Sequence, residues 1–282
     1  MSNVALVTDS TAYIPQNIVD QYGISVAPQE LIWGDQTYQD GVDIQPDEFY
    51  RRLKTATVMP TTSQVTIPNF KKIFETILEQ DQAVLAILIS AKLSGTIDSA
   101  IKAKEFFPGA PIEIVDSYTT AMAMGFQVLT VARAAQQGAN LSECKKLAEE
   151  ARQHTGVVFA VDTLEFLHRG GRIGGGSRFL GTALNIKPIL EVVGGRVEAV
   201  ERIRTRKKSL ARLIDIIAEK TAGQQPVRLA TLHANAEEEA RFLLEESSRR
   251  IQPVETIFST VSPVIGTHAG PGTVGIAYMA GM

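Results

Sequence analysis

The stretch AVLAILISAKLSGTIDSAIKAKEFF, residues 83–107, contains the structural unit that decides the fold. Residues 83–90 are almost entirely apolar, and the run is too short to span a bilayer, which is typical of a buried β-strand. A turn with hydroxyl and glycine residues follows, and residues 96–107 then show the spacing of a helix. This order of strand, turn and helix predicts a crossover unit of an α/β protein.

The same unit recurs along the chain. Further short strands are predicted at 4–7, 112–115, 157–161 and 228–232, and further helices at 67–80, 120–137, 141–154 and 235–250. Most of these helices carry an amphipathic stripe that suits packing on a sheet. Strands that alternate with helices predict a parallel sheet, and we expect the N-terminal half to be Rossmann-like.

The second half of the chain contains a different signal. The segment ILEVVGGRVEAVERI (189–203) alternates around Gly194-Gly195, which predicts a two-residue β-hairpin and therefore a mixed sheet. Residues 154–158 follow a charged helix and begin a new strand. We therefore predict two α/β domains, 1–155 with a parallel sheet and 156–282 with a mixed sheet, and a ligand in the cleft between them.

Composition and charge exclude several classes of function. With 44% hydrophobic and 21% charged residues, a net charge of −3 and a pI of about 5.9, the chain is a folded protein without a global basic field, so we expect no nucleic-acid partner. The single cysteine, Cys144, excludes internal disulfides and thiolate clusters. The N-terminus MSNVALVTDST lacks the basic region of a signal peptide, so we expect a cytoplasmic protein with at most transient membrane contact.

Hydroxyl and glycine residues recur where a predicted strand ends or a predicted helix begins. In open α/β sheets, ligands bind beyond the carboxyl ends of strands, where helix N-termini present N–H groups to anions. Ser94, Gly95 and Thr96 fit this description best. The alternative is that Ser94 or Thr96 simply caps a helix, and that Thr62 is a turn residue. The segments are PTTSQ (60–64), AKLSGT (91–96), VDSYTTAMAMG (115–125) and IGTHAGPG (265–272).

The sequence lacks the motifs of several other chemistries. There is no P-loop, and GGRIGGG (170–176) lacks the strand and helix context of a dinucleotide fingerprint. Ser94, His268 and Asp116 could form a hydrolase triad, but there is no GxSxG elbow. No HExxH or paired-histidine pattern occurs either. We therefore expect no catalytic residue, no metal and no cofactor other than a bound ligand.

One of the four histidines, His268, lies in the segment VIGTHAGPGTVGIAYM (264–279). We predict that Thr267 and His268 lie at the tip of a strand, between Gly266 and the turn at 270–272. The glycines would let the backbone bend close to a ligand, while the imidazole points into the cleft. The alternative is a structural histidine that bonds a neighbouring carbonyl, with the glycines forming a β-bulge.

A series of motifs across essentially the whole chain resembles the DegV family of bacterial fatty acid-binding proteins. The motifs are VTDST (7–11), TTSQ (61–64), LSGT (93–96), VDS (115–117), GGRI (170–173), NIKPIL (185–190) and GTHAGPGTVG (266–275). The resemblance implies a two-domain α/β protein that encloses one long-chain fatty acid. It also implies that Thr62, Ser94 and His268 surround the carboxylate. In members that serve a fatty acid kinase, a separate ATP-binding subunit phosphorylates this carboxylate for phospholipid synthesis, and the chain presents the substrate.

The chemistry of these residues is consistent with that assignment. A carboxylate buried in an apolar cleft needs hydrogen-bond donors in place of water, and two hydroxyls with a histidine supply them without a fixed cation. The acyl tail would supply affinity, because roughly 0.8 kcal/mol per buried CH₂ gives on the order of 11 kcal/mol for about fourteen methylenes. The candidates for the pocket wall are Met122, Met124, Phe126, Phe166, Phe179, Leu180 and Leu184. For most of them, ordinary core packing is the favoured explanation.

The segment RIRTRKKSLAR (202–212) is a local basic patch. If the strand of the hairpin continues, Arg202, Arg204 and Arg206 project from one face and form a docking surface for the kinase. The equal alternative is a solvated edge strand that its charges protect from aggregation. Arg169 and Arg172 are likewise divided between binding an anion and bonding carbonyl oxygens.

Two other classes of function remain open from the sequence. The first is an enzyme that acts on a carboxylate or phosphate substrate in the same cleft, with His268 as acid or base. The second is a sensor that binds lipid and reports to another protein. No residue pattern distinguishes the sensor from the carrier.

Overall fold

The structure, a computed structural model, describes residues 4–179 and 186–282. Its first sheet is fully parallel. Residues 84–88 belong to an inner strand that is covered on both faces of the sheet, and they are completely buried, which explains the continuous apolar run at 83–90. The predicted strand and parallel sheet are confirmed. The strand order is β2 (Ser25–Ala27), β1 (Val4–Asp9), β6 (Ala83–Leu88) and β7 (Ile112–Asp116).

The second sheet is mixed, as predicted, because only one of its neighbouring pairs is parallel. Gly194 and Gly195 join two antiparallel strands, and both have positive φ angles, 54° and 84°, as the predicted hairpin requires. The predicted domain boundary near residue 155 remains a prediction. The strand order is β10 (Arg196–Ile203), β9 (Lys187–Val193), β8 (Thr155–Ala160), β13 (Val274–Ala280), β11 (Val227–His233) and β12 (Glu255–Thr260).

A third, small antiparallel sheet was not predicted from the sequence. Its strand order is β4 (Gln36–Gln39), β3 (Glu30–Trp33) and β5 (Thr61–Ser63). Thr62 therefore lies on an edge strand, where it pairs with Leu31, and not in a turn. Strands of three or four residues with polar side chains carry too little alternation to be recognised.

The predicted helices are present, with ends that differ by a few residues. Helices α1, α2, α7, α8 and α10 are additional to the prediction. The helices are α1 (Gln16–Tyr22), α2 (Pro46–Leu53), α3 (Ile67–Leu78), α4 (Thr96–Lys104), α5 (Ala121–Gln136), α6 (Leu141–Ala151), α7 (Glu165–Arg169), α8 (Arg206–Thr221), α9 (Glu237–Ile251) and α10 (Pro263–Ala269). Among the described residues, none of these helices is both long and apolar enough to cross a membrane.

Helix α5 lies between the two large sheets. It contacts β1 and β6 on one side, and β8 and β13 on the other. Its side chains are therefore buried almost all round, and Met122, Met124 and Phe126 are completely inaccessible. A helix that is apolar on every face is typical of such a position. The core around α5 joins the two halves of the molecule.

Candidate functional site

The main candidate site is a cavity between the parallel and the mixed sheet, with about 890 Å³ of space between protein atoms, a volume that includes open solvent at its mouth. Most of the wall is apolar and includes Ile89, Leu93, Val157, Phe159, Val192 and Val197. The polar lining includes Thr62, Gln64, Ser94, Thr120, Arg172 and His268.

Thr62 and His268 meet at this cavity. Thr62 Oγ1 on β5 lies 2.8 Å from Nε2 of His268 on α10. The small sheet positions the first side chain and the helix the second. The structure thus brings together two of the three residues that the sequence predicts around a carboxylate.

The segment around His268 forms helix α10 and is not the tip of a strand, so this part of the prediction is wrong. Pro263 stands in the first turn, where its fixed φ angle suits a helix. Gly270, with a φ angle of 79°, ends the helix. Thr267 is turned back into it, because its hydroxyl donates to the carbonyl of Pro263 at 2.9 Å, and it does not line the cavity.

The imidazole of His268 is neutral at ordinary pH. Burial, and secondarily the positive charge of Arg172, lower its pKa to about 4. Its Nδ1 has no hydrogen-bond partner among the described residues. Gly170 packs against this nitrogen so closely that a Cβ there would lie 2.1 Å from it. The ring is thus held between Gly170 and Thr62 and can serve as a neutral donor or acceptor at the cavity.

Ser94 lines the cavity just before helix α4. Its hydroxyl lies 2.9 Å from that of Thr96, which is completely buried. Gly95, and neither hydroxyl residue, is the N-cap of α4, and no side chain caps the helix. The capping alternative is therefore wrong. Gly95 and Thr96 do not line the cavity, although Gly95 packs closely against Gln64, which does.

The two arginines of the LHRGGRI segment have different surroundings. Arg172 lines the cavity and donates from Nε to the carbonyl of Leu93 at 3.0 Å and from Nη1 to that of Gly170 at 2.8 Å. Arg169 is exposed and pairs with Glu165 on the same helix. Of these two candidates, Arg172 therefore lies at the cavity and bonds carbonyl oxygens, whereas Arg169 does not line it.

The predicted stripe of three arginines is not continuous. Arg202 lies on β10, but the strand ends at Ile203, and Arg206 is the first residue of α8. Arg206 is engaged within the protein: it pairs with Glu239 and donates to the carbonyl of Gly272 at 2.6 Å. A change from strand to helix rotates successive side chains, so the period of two does not persist.

Arg202 and Arg204 remain exposed. The guanidinium of Arg202 lies 4.8 Å from the centre of the Phe179 ring. The prediction of a docking surface therefore narrows to these two residues.

Much of the cavity wall was not predicted from the sequence. Met122, Met124 and Phe126 belong to the core, and neither Phe166 nor Phe179 lines the cavity. Leu180 and Leu184 lie outside the described residues. The apolar wall comes instead from strands together with short helices such as α7 and α10, and the strand residues Val157 and Phe159, two positions apart, share one face. That alternation was the available signal.

The described residues contain no group of three or more histidine, cysteine, aspartate or glutamate side chains that could hold a metal ion. Asp9 is fully buried with its own set of donors, including the N–H of Ile89 at 2.8 Å and the hydroxyl of Thr11 at 2.6 Å. Burial raises its pKa against these hydrogen bonds. Asp9 therefore organises the end of the parallel sheet and does not line the cavity.

Comparison with known proteins agrees with this fold over the whole chain. A family model described as "Uncharacterised protein, DegV family" matches residues 3–281. Protein DegV of Bacillus subtilis (strain 168) is 36% identical over 277 residues, which cover 98% of this chain and 99% of that protein.

Two solved structures are similar along their full length. One, described as fatty acid binding of a DegV family protein from Thermus thermophilus, has a TM-score of 0.94 and 34% identity, and the match covers 99% of this chain and all of that one (100%). The other, of DegV, a fatty acid binding protein from Bacillus subtilis, has a TM-score of 0.90 and 35% identity, with coverage of 99% and 100%. The sequence motifs, the two large sheets and these matches lead to one conclusion: the chain belongs to the DegV family.

Proposed function

We propose that this chain binds one long-chain fatty acid in the cavity between its sheets. The observation that carries the proposal is the contact of Thr62 with a neutral His268 at a mostly apolar cavity that Ser94 also lines. A ligand with a long apolar tail and a single polar head matches such a lining. The related structures from Thermus thermophilus and Bacillus subtilis, described as fatty acid-binding, support this choice of ligand.

The carboxylate of the ligand is held by hydroxyls and an imidazole in this proposal. Thr62, Ser94 and His268 are neutral groups, so they can donate hydrogen bonds to the carboxylate without forming an ion pair. Arg172 lies near enough to lower the pKa of His268 and adds a positive potential at the same end of the cavity. Its guanidinium already donates to two carbonyls, so we expect it to orient the head group without a bidentate ion pair.

We further propose that the chain presents this carboxylate to a separate kinase subunit, which forms the acyl phosphate for phospholipid synthesis. The chain carries no P-loop of its own. A carboxylate held by neutral donors keeps an oxygen available to attack phosphorus. The exposed Arg202 and Arg204 are the proposed docking residues, and we expect the pair of proteins to meet in the cytoplasm.

Mass spectrometry tests the binding proposal. Protein expressed in bacteria is weighed in its native state and again after denaturing extraction. One fatty acid per chain is the expected difference, and a chain that carries no lipid after expression, and takes up none on addition, would contradict the proposal.

Incubation of the pure protein with acyl esters and acyl phosphates separates the carrier from the enzyme. A carrier leaves both compounds unchanged, whereas a free fatty acid bound to it is phosphorylated when a kinase and ATP are supplied. Turnover by the pure chain would instead establish an enzyme, with His268 as the first candidate for its acid or base.

A further inference from the structure

Helix α10, which carries His268, is not capped by a side chain of its own segment. Ser262 occupies the N-cap position but makes no side-chain hydrogen bond to the helix. Pro263, the next residue, has no N–H group. The N–H of Val264 donates instead to Oδ1 of Asp40, 3.2 Å away and 224 positions earlier in the chain. The acceptor for this end of the helix therefore comes from the other half of the protein.

Asp40 is fixed in turn by the small sheet. It directly follows β4, and its N–H donates to the carbonyl of Gln29 at 2.8 Å. Its other carboxylate oxygen accepts the hydroxyl of Ser10 at 2.7 Å. The opposite edge strand of the same sheet, β5, carries Thr62. One small sheet thus holds helix α10 at two points, Asp40 at the first turn and Thr62 at His268.

The burial of the Asp40 carboxylate costs free energy. It is 2% exposed, and burial raises its pKa to about 6, while hydrogen bonds from the Ser10 hydroxyl and the Val264 N–H lower the pKa. Asp9 adds negative charge nearby. The pKa values of Tyr13 and Tyr50 are raised by burial and, to a lesser extent, by the charge of Asp40. None of the described groups that act on it is a cation. A buried charge without an ion pair is stabilised only by its hydrogen bonds. The use of such a costly group as the acceptor for α10 therefore calls for an explanation.

The geometry of the helix supplies that explanation. His268 follows Val264 by four residues, so the two lie one turn apart on the same face. Gly266, between them, packs so closely on Phe49 and Tyr50 that a Cβ there would lie 2.4 Å from the Tyr50 hydroxyl. Because Val264 and His268 belong to one short hydrogen-bonded helix, a shift at its first turn would displace the imidazole as well.

We propose that Asp40 is a positioning residue for His268, which it holds against Thr62 by fixing the first turn of α10. The inference rests on the proposed function, because it assigns Asp40 to the same head-group site. Asp40 does not touch the ligand and acts through the helix.

Binding of hexadecanoic acid and of its methyl ester to delipidated protein tests this role. Asp40→Asn keeps one acceptor but loses the charge, and it should weaken binding of the acid about tenfold. Binding of the ester should change by less than about twofold, because the ester lacks the carboxylate that the positioned imidazole receives. Asp43→Asn, at an exposed aspartate nearby, is the matched control and should bind both ligands as the wild type does. Equal loss for acid and ester would show a structural role only and would overturn the inference.

A double-mutant cycle then asks whether Asp40 acts through His268. In a His268→Ala background, Asp40→Asn should weaken acid binding no further, since the group to be positioned is absent. Additive losses would contradict the proposal. If Asp40→Asn does not fold, Ser10→Ala, which removes one donor to the same carboxylate, should show the same loss for the acid alone in weaker form.

The NMR signals of the His268 ring in ligand-free protein test the positioning by Asp40 independently of the proposal that the chain binds a fatty acid. Asp40→Asn should shift these signals, and unchanged signals would overturn the positioning role. A wild-type protein that binds neither acid nor ester would instead refute the proposed function.

Discussion

Thr62 and His268 lie 206 positions apart in the chain, yet Oγ1 of the first and Nε2 of the second are separated by 2.8 Å. Each belongs to a short element that the rest of the protein must place: Thr62 to a three-residue edge strand, and His268 to a seven-residue helix. The contact therefore depends on the complete fold. The proposed head-group site therefore exists only when both halves of the chain are assembled.

Removal of either hydroxyl of the proposed head-group site should weaken fatty acid binding. Thr62→Ala or Ser94→Ala takes one donor from a buried charged group, which costs about 1–3 kcal/mol of binding free energy. Thr61→Ala, at the exposed neighbour on the same strand, is the control and should leave affinity unchanged. Displacement of a fluorescent fatty acid gives the affinities. Wild-type affinity in both variants would remove these hydroxyls from the site.

His268→Ala should separate binding from presentation. The tail supplies most of the affinity, so much of the binding remains, but acyl-phosphate formation with the kinase and ATP should fall sharply, because the imidazole positions the carboxylate. Acyl-phosphate production, lipid content and thermal melting are measured together. The exposed His168 provides the control, His168→Ala. Full acyl-phosphate production by His268→Ala would contradict the proposed role of the imidazole in positioning the carboxylate. A misfolded variant would favour a structural histidine.

The two exposed arginines of the basic segment should affect only the encounter with the kinase. Arg202→Ala with Arg204→Ala should leave fatty acid affinity unchanged and slow acyl-phosphate formation at low salt. Added salt screens the charges of the wild type, so the difference between the two proteins should shrink as ionic strength rises. Equal rates of acyl-phosphate formation by the variant and the wild type at low salt would show that these arginines are only solvated residues at the edge of the sheet.

Arg206, by contrast, should contribute to stability. It bonds Glu239 and the carbonyl of Gly272 and lies 3.6 Å from Asp162, so it ties α8, α9 and the turn after α10 together. Arg206→Ala should lower the free energy of unfolding by about 1–3 kcal/mol, measured by urea denaturation. Lys207→Ala, at the exposed next residue, should have no such effect. Unchanged stability of Arg206→Ala would return it to the docking surface.

Asp40 should make the stability of the protein depend on pH. Its pKa rises from 3.8 to about 6 on folding, so the folded state disfavours its charged form. Its contribution to stability is therefore complete below pH 3.8 and is lost as the pH rises to about 6. Between these limits the free energy of unfolding of the wild type, relative to Asp40→Asn, should fall by about 3 kcal/mol at most. Urea denaturation across this range measures it, and a constant difference would contradict the assigned pKa.

Local patterns predicted the parts of the fold that local patterns determine. The apolar strand at 83–88 and the hairpin at Gly194-Gly195 depend on adjacent residues, and both are found. Helix α10 was not predicted, because its glycines and histidine favour a loop and its N-terminal acceptor, Asp40, lies in a distant segment.

The candidate site shows the same division. Thr62, Ser94 and His268 were named from ordered motifs, and all three line the cavity. Candidates for the apolar wall included Met122, Met124 and Phe126 of α5, although core packing was the favoured explanation for most of the candidates. These three side chains do pack in the core between the sheets, and Ala121, the first residue of α5, lines the cavity. A helix covered on both sides leaves little surface for a ligand. Tertiary position, which the sequence pattern does not contain, decided this outcome.

Helix α5 also bears on how the molecule unfolds. Its apolar side chains pack against both the parallel and the mixed sheet. If either sheet unfolded alone, the side of α5 that it covers would be exposed to water. A polypeptide that ended at residue 155 would leave much of this helix open to water. Although two sheets suggest two separable halves, we expect a single cooperative transition, in which the halves are lost together and no intermediate retains one of them.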